Sequence, residues 1–179
     1  EFVTAAEQFK KVIEADPENV KSHIALATIY ERLGDEERVI DELSKICVLN
    51  PENKIICYNL AALYQMNGDY LRAVEPLHRV IDVDPTDSTA YISLGILYLR
   101  IGKFDDAIVH LRQVVNLEPE RTEVFFYLGL AYAAINKTDE ALAALEKCVS
   151  AFPDNELIYF HLGALYEEIG DFERAAQNF

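Results

Sequence analysis

Hydrophobic, small and turn-forming positions recur along the chain with a step of 34 residues. Leu26, Leu60, Leu94, Leu128 and Leu162 form one series, and a small residue follows each: Ala27, Ala61, Gly95, Gly129 and Gly163. Tyr30, Tyr64, Tyr98, Tyr132 and Tyr166 form a third. Turn-forming residues keep the same step: Gly34, Gly68, Gly102, Asn136 and Gly170, then Pro17, Pro51, Pro85, Pro119 and Pro153. Asn is the natural substitute for Gly where φ must be positive, so Asn136 belongs to the series. With the period numbered so that proline is at 32, each unit reads as helix A over about 1–14 and helix B over about 17–30, joined by a short turn at the glycine. Complete repeats span 20–53, 54–87, 88–121 and 122–155. Residues 1–19 read as helix B of a truncated repeat, and 156–179 as a repeat cut at position 24.

Cap residues support this division. Asp35, Asp69 and Asp171 follow the turn glycine and can cap helix B. Asn19, Asn53, Asp87 and Asn155 follow the proline by two residues and can cap the next helix A. Repeat 4 departs from the pattern, with Thr122 and Thr138 as its cap candidates. Pro76 lies inside the second repeat's helix B and predicts a slight bend there. Position 20 carries Ala73, Ala107, Ala141 and Ala175, with Val39 the exception, so the paired helices can approach closely. Leu43, Leu77, Leu111, Leu145 and Phe179 at position 24 supply bulk between them.

These residues resemble the tetratricopeptide repeat (TPR): Leu-Gly/Ala at 7–8, Tyr at 11, Gly at 15, Ala at 20, Leu/Phe at 24 and Pro at 32. The resemblance covers the whole chain. It implies an all-α fold of tandem helix-turn-helix units stacked as a right-handed superhelix (an α-solenoid), and a protein-interaction scaffold, not an enzyme. One departure is position 4, where the family often has Trp. Here it is His23, Cys57, Tyr91, Phe125 and Tyr159, so repeats 1 and 2 are expected to pack less tightly there.

Helical geometry separates the two sides of helix A. Positions 4, 7, 8 and 11 form the core stripe, and 2, 5, 6, 9, 12 and 13 face the other way, into the groove that the resemblance implies. That side is expected to be polar in an ordinary amphipathic helix. Here its middle is apolar. A binding strip is therefore expected at Tyr58, Asn59, Ile92, Ile96, Leu99, Arg100, Phe126, Tyr127, Leu130, Phe160 and His161, for an extended apolar peptide or an amphipathic helix. The competing reading is packing between neighbouring A helices. Chaperone-binding TPR domains hold a terminal carboxylate with Lys, Arg and Asn. Asn59 fills one such place, but Ile24, Thr28, Thr89 and Ser93 occupy others, so that activity is not expected. The Asn ladder of arrays attached to sugar-transferring enzymes also fails, since position 6 reads Ala25, Asn59, Ser93, Tyr127 and His161.

Charge narrows the partners. With 31 acidic and 16 basic residues the net charge is −15, which disfavours nucleic acid and anionic membrane and favours apolar segments with basic residues. No stretch approaches the ~20 apolar residues of a membrane span. Neither the histidines (His23, His78, His110, His161) nor the cysteines show metal-ligand or catalytic spacing, and no cofactor is expected. His23 reads as a core residue, and His78 and His110 as solvated. Cys47 and Cys57 could meet across a turn, but they read as small buried hydrophobes, as does Cys148. Natural arrays end in polar capping helices, and neither end here has one. The chain therefore reads as a fragment of a longer array, with end-to-end self-association through its uncapped termini.

Overall fold

The computed structural model describes residues 2–178, all of whose regular elements are helical. One compact unit runs up to Asp87 and holds α1 (Phe2–Ala15), α2 (Val20–Leu33), α3 (Glu36–Leu49), α4 (Lys54–Met66) and α5 (Val74–Val83). A second begins at Ser88 and holds α6 (Ser88–Arg100), α7 (Phe104–Leu117), α8 (Val124–Ala134), α9 (Thr138–Ala151), α10 (Glu156–Glu168) and α11 (Phe172–Asn178). Within each unit, helices adjacent in sequence pack on one another. Phe179, expected to supply bulk in the last repeat, lies outside the described residues.

The A-to-B turns share one hydrogen-bond pattern. Gly34, Gly68, Gly102 and Gly170 have φ between 70° and 79°, and Asn136 has φ 58°. The next residue's N–H reaches back to the tyrosine carbonyl in every turn: Asp35 to Tyr30 (2.9 Å), Asp69 to Tyr64 (2.8 Å), Lys103 to Tyr98 (2.8 Å), Lys137 to Tyr132 (2.9 Å) and Asp171 to Tyr166 (2.9 Å). This closure satisfies a carbonyl that a helix end would otherwise orphan. It also explains why the Tyr and Gly series keep a constant offset.

Three of the expected residues cap their helices through a side-chain bond that fixes the helix start. Asn19 accepts from the Ser22 N–H, Asp35 from Arg38 and Asn155 from Leu157. Asn53 makes no side-chain cap bond. In repeat 4 neither threonine caps. Lys137 occupies the cap position of α9, whose start is set by the backbone bond from Ala141 N–H to the Lys137 carbonyl (2.9 Å). α8 begins only at Val124, because Arg121 bonds Glu118, Glu123 and the Ser88 hydroxyl and holds that segment as a turn. Pro76 lies near the start of its helix. α5 starts at Val74, so Pro76 falls in the first turn, where a missing N–H costs nothing.

Position 4 departs from expectation in the tighter direction. His23 is 2% and Cys57 0% exposed, while Tyr91, Phe125 and Tyr159 are only partly buried. Directional bonds replace aromatic bulk. His23 Nδ1 meets Glu42 of α3 at 2.5 Å, and Nε2 donates to the Pro17 carbonyl at 2.9 Å. Cys57 is joined to Cys47 by a disulfide across the α3–α4 turn, with Cα atoms 5.2 Å apart. The two are buried, as expected, but they are not free hydrophobes. The turn sets the last turn of α3 beside the first of α4, within disulfide reach. Cys148 is free and buried. His110 is not simply solvated: it packs edge-on against Tyr98 (5.2 Å between ring centroids) and Tyr91 (6.1 Å).

Candidate interaction site

In the unit up to Asp87, the two predicted strip residues have different surroundings. The Tyr58 hydroxyl donates to Asp87 at 2.7 Å, and Lys54 Nζ bridges Asp84 and Asp87 at 2.7 Å each. Burial, and then the Asp87 carboxylate, push the Tyr58 phenol well above its ordinary value. The hydrogen bonds from Lys54 and Thr86 hold Asp84 at about 2. Tyr58 is thus engaged in fastening α4 to the 84–87 turn. Asn59 is exposed.

In the unit from Ser88, helical spacing brings four rings together. Phe126 and Tyr127 are neighbours on α8, with ring centroids 5.7 Å apart. Phe126 lies 5.8 Å from His161 of α10, and His161 lies 5.7 Å from Phe160. All three contacts are edge-to-face, the arrangement that ring quadrupoles favour. Phe126 also packs against the α9–α10–α11 core, and so belongs partly to the interior. Phe160 is 57% exposed. Burial lowers the pKa of His161. Ile92, Ile96, Leu99, Tyr127 and Leu130 are partly exposed, and Arg100 is exposed.

Another recurring arrangement was not part of the sequence reading. Arg38, Arg72 and Arg174, all at position 19, lie over the rings of Tyr30, Tyr64 and Tyr166, with guanidinium carbons 4.4, 4.5 and 5.4 Å from the centroids. Each also donates its backbone N–H to the Asp at position 16. The Asp-x-x-Arg spacing is the signal that could have found it. Repeats 3 and 4 invert the signs, with Lys103 and Asp106, and Lys137 and Glu140. The motif clamps helix B to its turn.

Among the described residues no group of three or more His, Cys, Asp or Glu could hold a metal ion. Among them, too, no helix is long and apolar enough to cross a membrane.

Comparison with known proteins places this geometry. One tetratricopeptide repeat model matches residues 58–115, 92–156 and 126–179, and a second matches 9–40. Comparison with curated protein sequences gives no match. Among solved structures, the crystal structure of MamA protein superposes with a TM-score of 0.77 at 26% identity, covering 91% of this chain and 89% of that one. MamA from Desulfovibrio magneticus RS-1 gives 0.75 at 24%, covering 89% and 90%. YrrB, described as a TPR protein with an unusual peptide-binding site, gives 0.72 at 21%, covering 97% and 89%. With the repeat model matched over more than half of the sequence, the chain belongs to the tetratricopeptide repeat family.

Proposed function

We propose that this protein binds an apolar peptide or an amphipathic helix through the groove side of its A helices, with the α8–α10 aromatic cluster as the principal contact. Tetratricopeptide repeat proteins are in general non-enzymatic scaffolds for protein–protein interaction, and this chain has their fold. The observation that carries the finer reading is Phe160, 57% exposed yet in edge-to-face contact with His161, which in turn meets Phe126. An exposed aromatic linked through His161 to Phe126 and Tyr127 is the kind of rigid surface that supplies binding energy. Ile92, Ile96, Leu99 and Leu130 extend the apolar surface in the same unit, and Arg100 adds a polar contact. Asn59 offers an amide in the other unit, while Tyr58 contributes through its fastening of α4. The net charge of −15 favours ligands that carry Lys or Arg beside their apolar residues. YrrB, a peptide-binding protein by its description, has this fold, which fits the reading.

A peptide array probed with the intact chain and with Tyr127→Ala and Phe160→Ala tests it. The reading requires hits that both variants lose; an array without such hits overturns it.

A second reading, self-association, is favoured by the exposure of Phe2 and Val3 on α1 and of Phe172 on α11. Sedimentation velocity from low to high micromolar decides it, a monomer throughout ruling it out.

A further inference from the structure

Helices α2, α3 and α4 enclose a cleft of about 570 Å³ in the unit that ends at Asp87. Ala27, Val39, Leu43, Ile46, Ile56 and Leu63 line it with apolar atoms. Its volume lies in the range of pockets that hold small ligands, and it accommodates a large side chain. Exposed apolar residues also line it: Ile24 is 42% and Met66 80% exposed. The walls are covalently joined. Cys47 follows Ile46, Cys57 follows Ile56, and the two cysteines form the disulfide.

The charge of the lining is one-sided. Glu31, Asp35 and Glu36 belong to it, and no Lys or Arg does. Arg38 engages Asp35. Glu31 and Glu36 are exposed, and neither carboxylate has a cationic partner among the described residues. Two unpaired carboxylates beside an apolar cleft favour a cation attached to an apolar group.

We propose that this cleft is a docking site for a partner segment that inserts one large aliphatic or aromatic side chain and places an adjacent Lys or Arg against Glu31 and Glu36. The inference rests on the reading of the chain as a peptide-binding scaffold, but it uses none of the α8–α10 rings.

The test is a titration of methyl-labelled protein with acetyl-Phe-Lys-amide, followed by NMR, with acetyl-Phe-Glu-amide as the control. Saturable shifts of the Ile24, Ile56, Leu63 and Met66 methyls with the lysine peptide are expected, and weaker binding of the glutamate peptide. Glu31→Gln and Glu36→Gln should each weaken the lysine peptide about two- to five-fold, the range of a solvent-exposed ion pair. Ala62→Phe, at an exposed position in the lining, should abolish binding while leaving the thermal unfolding midpoint unchanged. Equal binding of the two peptides, or no saturable shift at these methyls, overturns the proposal. Concentration-dependent shifts without peptide also overturn it, since a second copy of the chain then covers the cleft. If array hits are lost on Phe160→Ala but the cleft methyls do not respond, only this inference falls. Cleft binding with an array that shows no such hits brings down the aromatic-cluster reading instead.

Discussion

His23 Nδ1 lies 2.5 Å from Glu42 Oε2, with both side chains buried in the first repeat. The other ring nitrogen faces the Pro17 carbonyl, which can only accept, so Nε2 carries a proton. Lys45 adds a further donor to Glu42 at 3.2 Å. This pair joins α2, α3 and the preceding turn at the place where the family often has Trp.

Removing one partner should therefore be worse than removing both. His23→Ala leaves Glu42 buried opposite a cavity and is expected to cost about 3–5 kcal/mol. The double variant His23→Phe with Glu42→Leu replaces the pair by apolar volume and should recover most of that loss. Urea unfolding of the two variants makes the comparison. Equal losses would show that the pair adds nothing beyond its volume.

The Cys47–Cys57 disulfide closes a short loop between consecutive repeats. Loop-closure entropy for that length corresponds to about 2–3 kcal/mol of stabilisation. Cys47→Ala with Cys57→Ala is expected to lower the unfolding midpoint accordingly. Alkylation under non-reducing conditions followed by mass spectrometry should label Cys148 alone after unfolding, and labelling of all three cysteines would refute the bond.

Gly95 and Gly129 stand where the first two complete repeats have Ala27 and Ala61. A Cβ on Gly95 would lie 2.5 Å from Leu111, and one on Gly129 2.6 Å from Leu145, both leucines being fully buried. Gly95→Ala should therefore destabilise by about 1–3 kcal/mol through overpacking. This holds although alanine has the better helix propensity. A shift of the denaturation midpoint to higher urea would mean that α6 and α7 separate without penalty.

The Lys54 network gives a pH dependence of known sign. The folded-state value of Asp84, about 2, lies below its ordinary 3.8. The carboxylate thus contributes stability above about pH 4 that is lost as the pH falls toward 2. Lys54→Met removes the largest cause of the shift. The difference in melting temperature between parent and variant should be greatest above pH 4 and should shrink as the pH falls through 2. A difference that persists unchanged at pH 2 would contradict it.

Helix pairs, their turns and the positive φ of Asn136 are legible in the sequence because they are properties of the local backbone. A Gly or Asn at position 15 meets a conformational demand set by its immediate neighbours, and it does so five times at one spacing. Core positions are legible for a related reason, since helical periodicity alone places Leu26 and Tyr30 on one side of α2 and both are buried. Cap chemistry is legible at Asn19 and Asp35, and misleads at Asn53, which makes no cap bond, and in repeat 4, where Arg121 reaches Ser88 across 33 residues and holds the turn.

The tertiary structure alone decided which side chains meet. His23 and Glu42 are 19 residues apart, and neither is marked by the repeat as a partner of the other. Cys47 and Cys57 are compatible by spacing with bonded or free states, and the approach of α3 to α4 selects the bond. Tyr58 and Phe126 hold the same repeat position, yet Tyr58 is tied to Asp87 while Phe126 joins an aromatic cluster. The cleft between α2, α3 and α4 has no counterpart in the pattern of residues, because its volume is what those helices leave unfilled. Periodicity reports the direction in which a side chain points. Its partner, and the space left beside it, depend on the distances between helices.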